Sequence, residues 1–187
     1  MRRLSLAFAA TACFAPLPAA ADDITDALSA AITAYEAGEI QDALGEVAYA
    51  TQLLNELQAE GLETFLPPAL DGWTREVSDE AAAGLGFMGG GSAAEASYSG
   101  PEGNFTITYV ADNPMVGAMA GMLGNATLMG AMGRIERING ENFLDADGEL
   151  SALIGGRVLV QVSGSPSEAM IAHMEQVDFD ALGSFDQ

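Results

Sequence analysis

The chain has no lysine, one cysteine and one histidine; its six basic residues are all arginines, set against 27 aspartates and glutamates. Without lysine there is no Schiff-base chemistry. A formal charge of −21 and an isoelectric point near 4.1 leave no cluster of positive charge. Nucleic acid is therefore excluded as a partner, and so is an anionic membrane surface, because both are held through clustered Lys and Arg. Charged residues are only 18% of the chain and aromatics 7%, yet 49% is hydrophobic. That is enough for a packed core and too much for a disordered chain. The 187 residues fit one domain, or one domain with a small helical unit attached.

Met1-Arg2-Arg3, the apolar run from Leu4 to Phe14, the helix-breaking Pro16-Leu17-Pro18 and Ala19-Ala20-Ala21 together read as a Sec signal peptide, residues 1–21, cleaved near Ala21. The expected location is the periplasm, or outside the cell. Cys13 follows Ala10-Thr11-Ala12 but lacks the Leu three positions upstream that a lipoprotein box carries, so no lipid anchor at Cys13 is expected. Cleavage would remove the only cysteine. Thiol catalysis, disulfides and Cys-ligated metals are then excluded from the mature chain.

Residues 22–66 contain no basic residue, and their apolar residues recur at helical spacing. Ile24, Leu28, Ala31 and Tyr35 make one stripe; Ala43, Leu44, Val47, Ala50, Leu54 and Leu57 make another, with Gly38-Glu39 as the turn between them. The expected structure is a helical hairpin. Gly38-Glu39-Ile40, Ala43-Leu44, Val47 and Ala50 resemble a single tetratricopeptide-type repeat, and one repeat alone implies a capping helical pair rather than a peptide-binding array. Pro67-Pro68 ends the hairpin and opens a domain over 67–187. Strands are expected over 73–78, 93–99, 104–111, 134–138, 141–146, 149–154 and 157–163. Asn139-Gly140, Asp147-Gly148 and Gly155-Gly156 suit two-residue type I′ turns. One inserted helix, 114–132, and one C-terminal helix, 166–177 with Ser165 as its cap, complete the domain. The fold class is α+β with an antiparallel sheet of about seven strands. This layout resembles the PsbP-type sheet of exported proteins, an analogy of fold alone.

The chemistry-bearing motifs are few. Gly84-Leu85-Gly86-Phe87-Met88-Gly89 spells a dinucleotide fingerprint without its flanking strand and helix, and reads as a loop. Asp145-Ala146-Asp147-Gly148-Glu149 resembles half a calcium loop, but Phe143 and Ile154 fall at positions that need oxygen ligands, so a hairpin turn is expected. His173 has no G-x-S-x-G partner motif and reads as a structural histidine. Arg75, Arg134, Arg137 and Arg157 read first as structural ion-pair partners.

Met115, Met119, Met122, Ala126 and Met129 fall on one helical stripe, with Gly117, Gly121 and Gly124 along another face. Three readings are open. The stripe packs into the core, with glycines letting a neighbouring backbone approach; or Met115, Met119, Met122 and Met129 form an adaptable partner surface; or the Met115, Met119 and Met122 thioethers, with Met88, Met132 or the Met170/His173/Met174 group, hold Cu(I). Gly, Ala, Asn125 and Thr127 make the segment too weakly apolar to span a membrane. The sequence thus points to an exported binding or accessory module without catalytic activity or cofactor, its partner an unknown protein or a small apolar ligand. The alternatives are a Met-based copper carrier and a carboxylate-dependent hydrolase.

Overall fold

Residues 19–85 and 90–186 are described by a computed structural model. Residues 1–18 of the expected signal peptide, Cys13 among them, lie outside the described residues, as do 86–89 and hence Met88.

Both central residues of each expected type I′ turn have positive φ: 46° and 92° at Asn139-Gly140, 53° and 84° at Asp147-Gly148, 59° and 75° at Gly155-Gly156. Gly adopts this region freely, and Asn and Asp tolerate it. The turns link β4 (Arg134–Ile138), β5 (Glu141–Ala146), β6 (Glu149–Ile154) and β7 (Val158–Ser165) into one antiparallel meander. A second meander holds β1 (Thr74–Ser78), β2 (Ser92–Gly100) and β3 (Gly103–Ala111). Antiparallel pairing of β3 with β7 joins them into a seven-stranded sheet of order β1-β2-β3-β7-β6-β5-β4.

Period-two alternation gives this sheet two different faces. One buries Tyr98, Phe105, Ile107, Leu150, Val160 and Val162 beneath α6 (Ser167–Met174), α7 (Phe179–Gly183) and Leu62 and Leu66. The other buries Ala93, Val110, Leu144 and Leu159 beneath α3 (Glu80–Leu85), α4 (Pro114–Leu123) and α5 (Ala126–Met132). The chain leaves β3 near the middle of the sheet and re-enters at β4 on its edge, so α4 and α5 form a strap that meets β6, β5 and β4 on the way.

The single helix expected over 114–132 is two helices, bent by 88°. Gly124 ends the first, and the Asn125 side chain accepts from the N–H groups of Thr127 (3.0 Å) and Leu128 (3.3 Å) to start the second. The C-terminal helix expected over 166–177 is the shorter α6, and α7, which was not expected, follows it. Ser165 stays in β7 and does not cap; α6 follows Pro166 with no side-chain cap, and Asp178 caps α7 by accepting from Ala181 N–H at 3.0 Å. Helix α3, which follows from the helix-favouring Ala81-Ala82-Ala83 run, was not expected. It places Gly84 in a helix, the reverse of the strand-then-loop order a dinucleotide motif needs.

At the N-terminus lie α1 (Ala19–Ala37) and α2 (Ile40–Glu63). Gly38, at φ 81°, donates its N–H to the Tyr35 carbonyl, and Glu39 N–H reaches Ala34, which closes α1 and turns the chain. Compact units divide between Leu53 and Leu54, inside α2. The reason is visible at Leu62 and Leu66, which are buried in the core of the sheet unit.

Candidate functional site

The strap from Pro114 to Gly133 has no charged side chain, in a chain otherwise rich in acid. Pro114 is preset for a first helical turn, and the Asn113 side chain accepts from Met115 N–H at 2.8 Å. Val116 and Leu123 are buried against the sheet, Met119 and Met122 are packed there at partial exposure, and Met129 is 1% exposed. Met115 stands partly clear. Met129 therefore belongs to the core and not to an outer surface. The outer apolar residues are instead Leu128 (47% exposed) and Met132 (52%), with Ile135 on β4 beyond them. Projecting one straight helix misses them, because the bend at Gly124-Asn125 turns Met129 inward and its neighbours out. Gly117 and Gly121 are also not there for close packing. A Cβ at either would meet nothing within 4 Å.

The second methionine group lies elsewhere. Met170 and Met174 are buried on the opposite sheet face, so the sheet separates them from the strap. His173 between them is fully buried with both ring nitrogens in use. Nε2 accepts from Leu70 N–H at 3.2 Å, which fixes Nδ1 as the protonated nitrogen donating to the Ala169 carbonyl at 2.7 Å. The rings of Trp73, Tyr98 and Phe105 surround it, with centroids 5.3, 5.0 and 5.0 Å away, all edge-on to His173. Such a histidine has no free nitrogen with which to act as base or ligand. It is a fastener.

Three more side chains fasten the same stretch of chain. Tyr98 donates to the Pro67 carbonyl at 2.6 Å and Tyr109 to that of Phe65 at 3.3 Å. The Arg75 guanidinium donates to the Leu66 and Glu63 carbonyls at the end of α2, at 3.2 and 3.4 Å, and its Nε is buried without a partner. Burial pushes the Tyr98 phenol up to about 12 against the opposing pull of Arg75, and raises that of Tyr109 further. Phenols whose pKa is raised in the folded state add stability that is complete below the ordinary value of 10 and is lost as pH climbs from 10 toward 12. Urea midpoints should accordingly fall between pH 9 and pH 11. The fall should flatten when Tyr98 and Tyr109 are both changed to Phe; an undiminished fall would assign the effect to other groups.

Beside the strap, the same sheet face is open and polar. Registered across β2, β3, β7 and β6 are Glu95, Thr108, Gln161 and Ser151, and next to them Ser97, Thr106, Ser163 and Glu149. Glu95 accepts from Thr108 at 3.0 Å; Glu149 accepts from Gln161 at 3.0 Å and Ser151 at 2.9 Å. The two carboxylates are thus held by neighbours, on backbone positions three strands apart, about 14 Å. Asp145, from the calcium-like motif, pairs with Arg134 at 2.7 Å, and Arg157 pairs with Asp112 at 2.7 Å, while Arg137 is exposed. Among the described residues no group of three or more His, Cys, Asp or Glu side chains is placed to hold a metal ion, and no single helix is long and apolar enough to cross a membrane. A cleft of about 330 Å³ between Asn139, Val177 and Asp180 contains no titratable pair in contact, and the Asn139 amide that borders it donates to the Glu175 and Val177 carbonyls. No known protein family, curated protein or solved structure matches the chain.

Proposed function

We propose that the protein is an exported binding or accessory module that works without catalysis and engages an apolar partner through the outer side of the α4–α5 strap. The observation that carries this reading is an uncharged apolar surface, with Met115, Leu128 and Met132 outside, on a chain of net charge −21. Unbranched methionines conform to irregular surfaces. Gly117 and Gly121 add support: each costs a helix about 1 kcal/mol relative to Ala, and among the described residues nothing lies close enough to require a glycine at either. Export rests on the basic, apolar and Ala-Ala-Ala segments of residues 1–21.

Two measurements test it. Native mass spectrometry of the protein from its own cell envelope should show a chain starting near Asp22 with a bound species, and Leu128→Glu with Met132→Glu should arrive without it. A bare wild-type chain, or a variant that keeps the bound species, would overturn the reading. Gly117→Ala and Gly121→Ala should raise stability by up to about 1 kcal/mol each, since the added methyl meets only open space, and should weaken that same binding.

A further inference from the structure

We propose that the α1–α2 pair is a self-association surface, through which two copies of this chain stack into a four-helix bundle. The inference is independent of the strap. The buried residues up to Leu53 are small: Ala27 and Ala31 on α1, Ala43 and Ala50 on α2. The pair's large apolar residues are outside, Leu28, Ile32 and Tyr35 on one helix and Ile40, Leu44 and Val47 on the other, with Ile32 61% and Tyr35 68% exposed. Those alanines remove little apolar surface from water, although the helices are 19 and 24 residues long. The large apolar side chains of the pair are left exposed.

Both outer stripes have the same spacing, four residues and then three, which is the seam of a helical bundle. They also share a side. In antiparallel helices, positions one residue after the contact line fall on the same face of the pair, and Leu28, Ile32 and Leu44 directly follow Ala27, Ala31 and Ala43. Asp26 and Asp42 directly precede Ala27 and Ala43, so they project from the opposite face. Of the acids on α1, Glu36 alone borders the apolar face, one turn beyond Ile32. A basic partner would find little to pair with there, and the Lys and Arg that anchor an interfacial helix to a membrane are absent from α1 and α2. A second copy supplies a matching, largely uncharged face and turns its other acids outward. The six side chains expose on the order of 600 Å² per copy, near the roughly 800 Å² per partner of a standard interface.

Light scattering on the eluting protein should give a mass that rises with concentration from that of one chain, as fixed by denaturing mass spectrometry, to twice that value. Ile32→Glu with Leu44→Glu should remain a single chain at every concentration, while Thr33→Glu, on the acidic side, should still pair. A second measurement does not depend on the charged variant folding. In a Cys13→Ser background, Ile32→Cys or Leu44→Cys should form disulfide-linked dimers under mild oxidation at least tenfold faster than Thr33→Cys. A single chain throughout, as when the apolar face packs within its own chain, would overturn the proposal. So would pairing that survives the Glu substitutions, or equal cross-linking from the two sides.

Discussion

His173→Ala should lower the unfolding free energy by about 3–5 kcal/mol, the cost of emptying a ring-sized site in a packed core. Two losses combine. The imidazole contacts with Trp73, Tyr98 and Phe105 vanish, and Leu70 N–H loses its acceptor. Ala169 loses less, since its carbonyl lies within α6 and retains its helical position. His173→Phe separates the two terms: it keeps an aromatic ring in the site, slightly larger than the imidazole, but leaves Leu70 N–H unpaired, for an expected cost of about 1–3 kcal/mol. Urea denaturation followed at Trp73, the chain's one tryptophan, reads both global stability and the local packing. A loss below about 1 kcal/mol for His173→Ala would mean that the site collapses onto the missing ring.

Gly164→Ala should cost about 3 kcal/mol or more, through steric conflict and backbone strain together. Gly164 sits at φ 134°, and a Cβ there would lie 2.5 Å from the Asn104 carbonyl oxygen and 2.6 Å from Phe105 Cα. Both neighbours are backbone of the paired strand β3 and cannot rotate aside. Gly156→Ala is the control. That residue is also at positive φ, 75°, but a Cβ would meet nothing within 4 Å, so only the left-handed strain of about 1–2 kcal/mol remains. The difference in thermal midpoint between the two variants reads the clash together with the extra strain of φ 134°; equal midpoints would show that β3 yields.

The strands were legible because their punctuation is chemical. Asn139-Gly140, Asp147-Gly148 and Gly155-Gly156 each combine residues that tolerate positive φ, and they bound β5 and β6 to the residue. The strap was less legible because two signals conflict within it. The methionine spacing runs unbroken through residue 125, whereas Gly124-Asn125 is a helix stop followed by a helix start, and local capping overrode the period. Nothing in a periodicity distinguishes Met129 from Met132 once the axis turns by 88°. His173 was read as structural from the lack of partner motifs, but its acceptor role toward Leu70 depends on contacts between distant parts of the chain. The apolar residues of α1 and α2 were visible as stripes; that alanines would take the inner positions and leave Leu, Ile and Tyr outside is decided by how the two helices rotate against each other.

The sheet order also sets a sequence of events for assembly. Within each meander every strand pairs with its neighbour in the chain, so those contacts close short loops and form early. Only the β3–β7 seam joins residues separated by the strap and three strands. Its loop-closure entropy must be met before its contacts repay it. Closing that seam is then the slow step, and truncating Ile107 or Val162, which pair across it, slows folding, whereas truncations in the outer hairpin β4–β5 mainly hasten unfolding. Until the seam closes, two half-sheets each present a bare edge strand, and these are the edges through which newly made chains can exchange halves or aggregate.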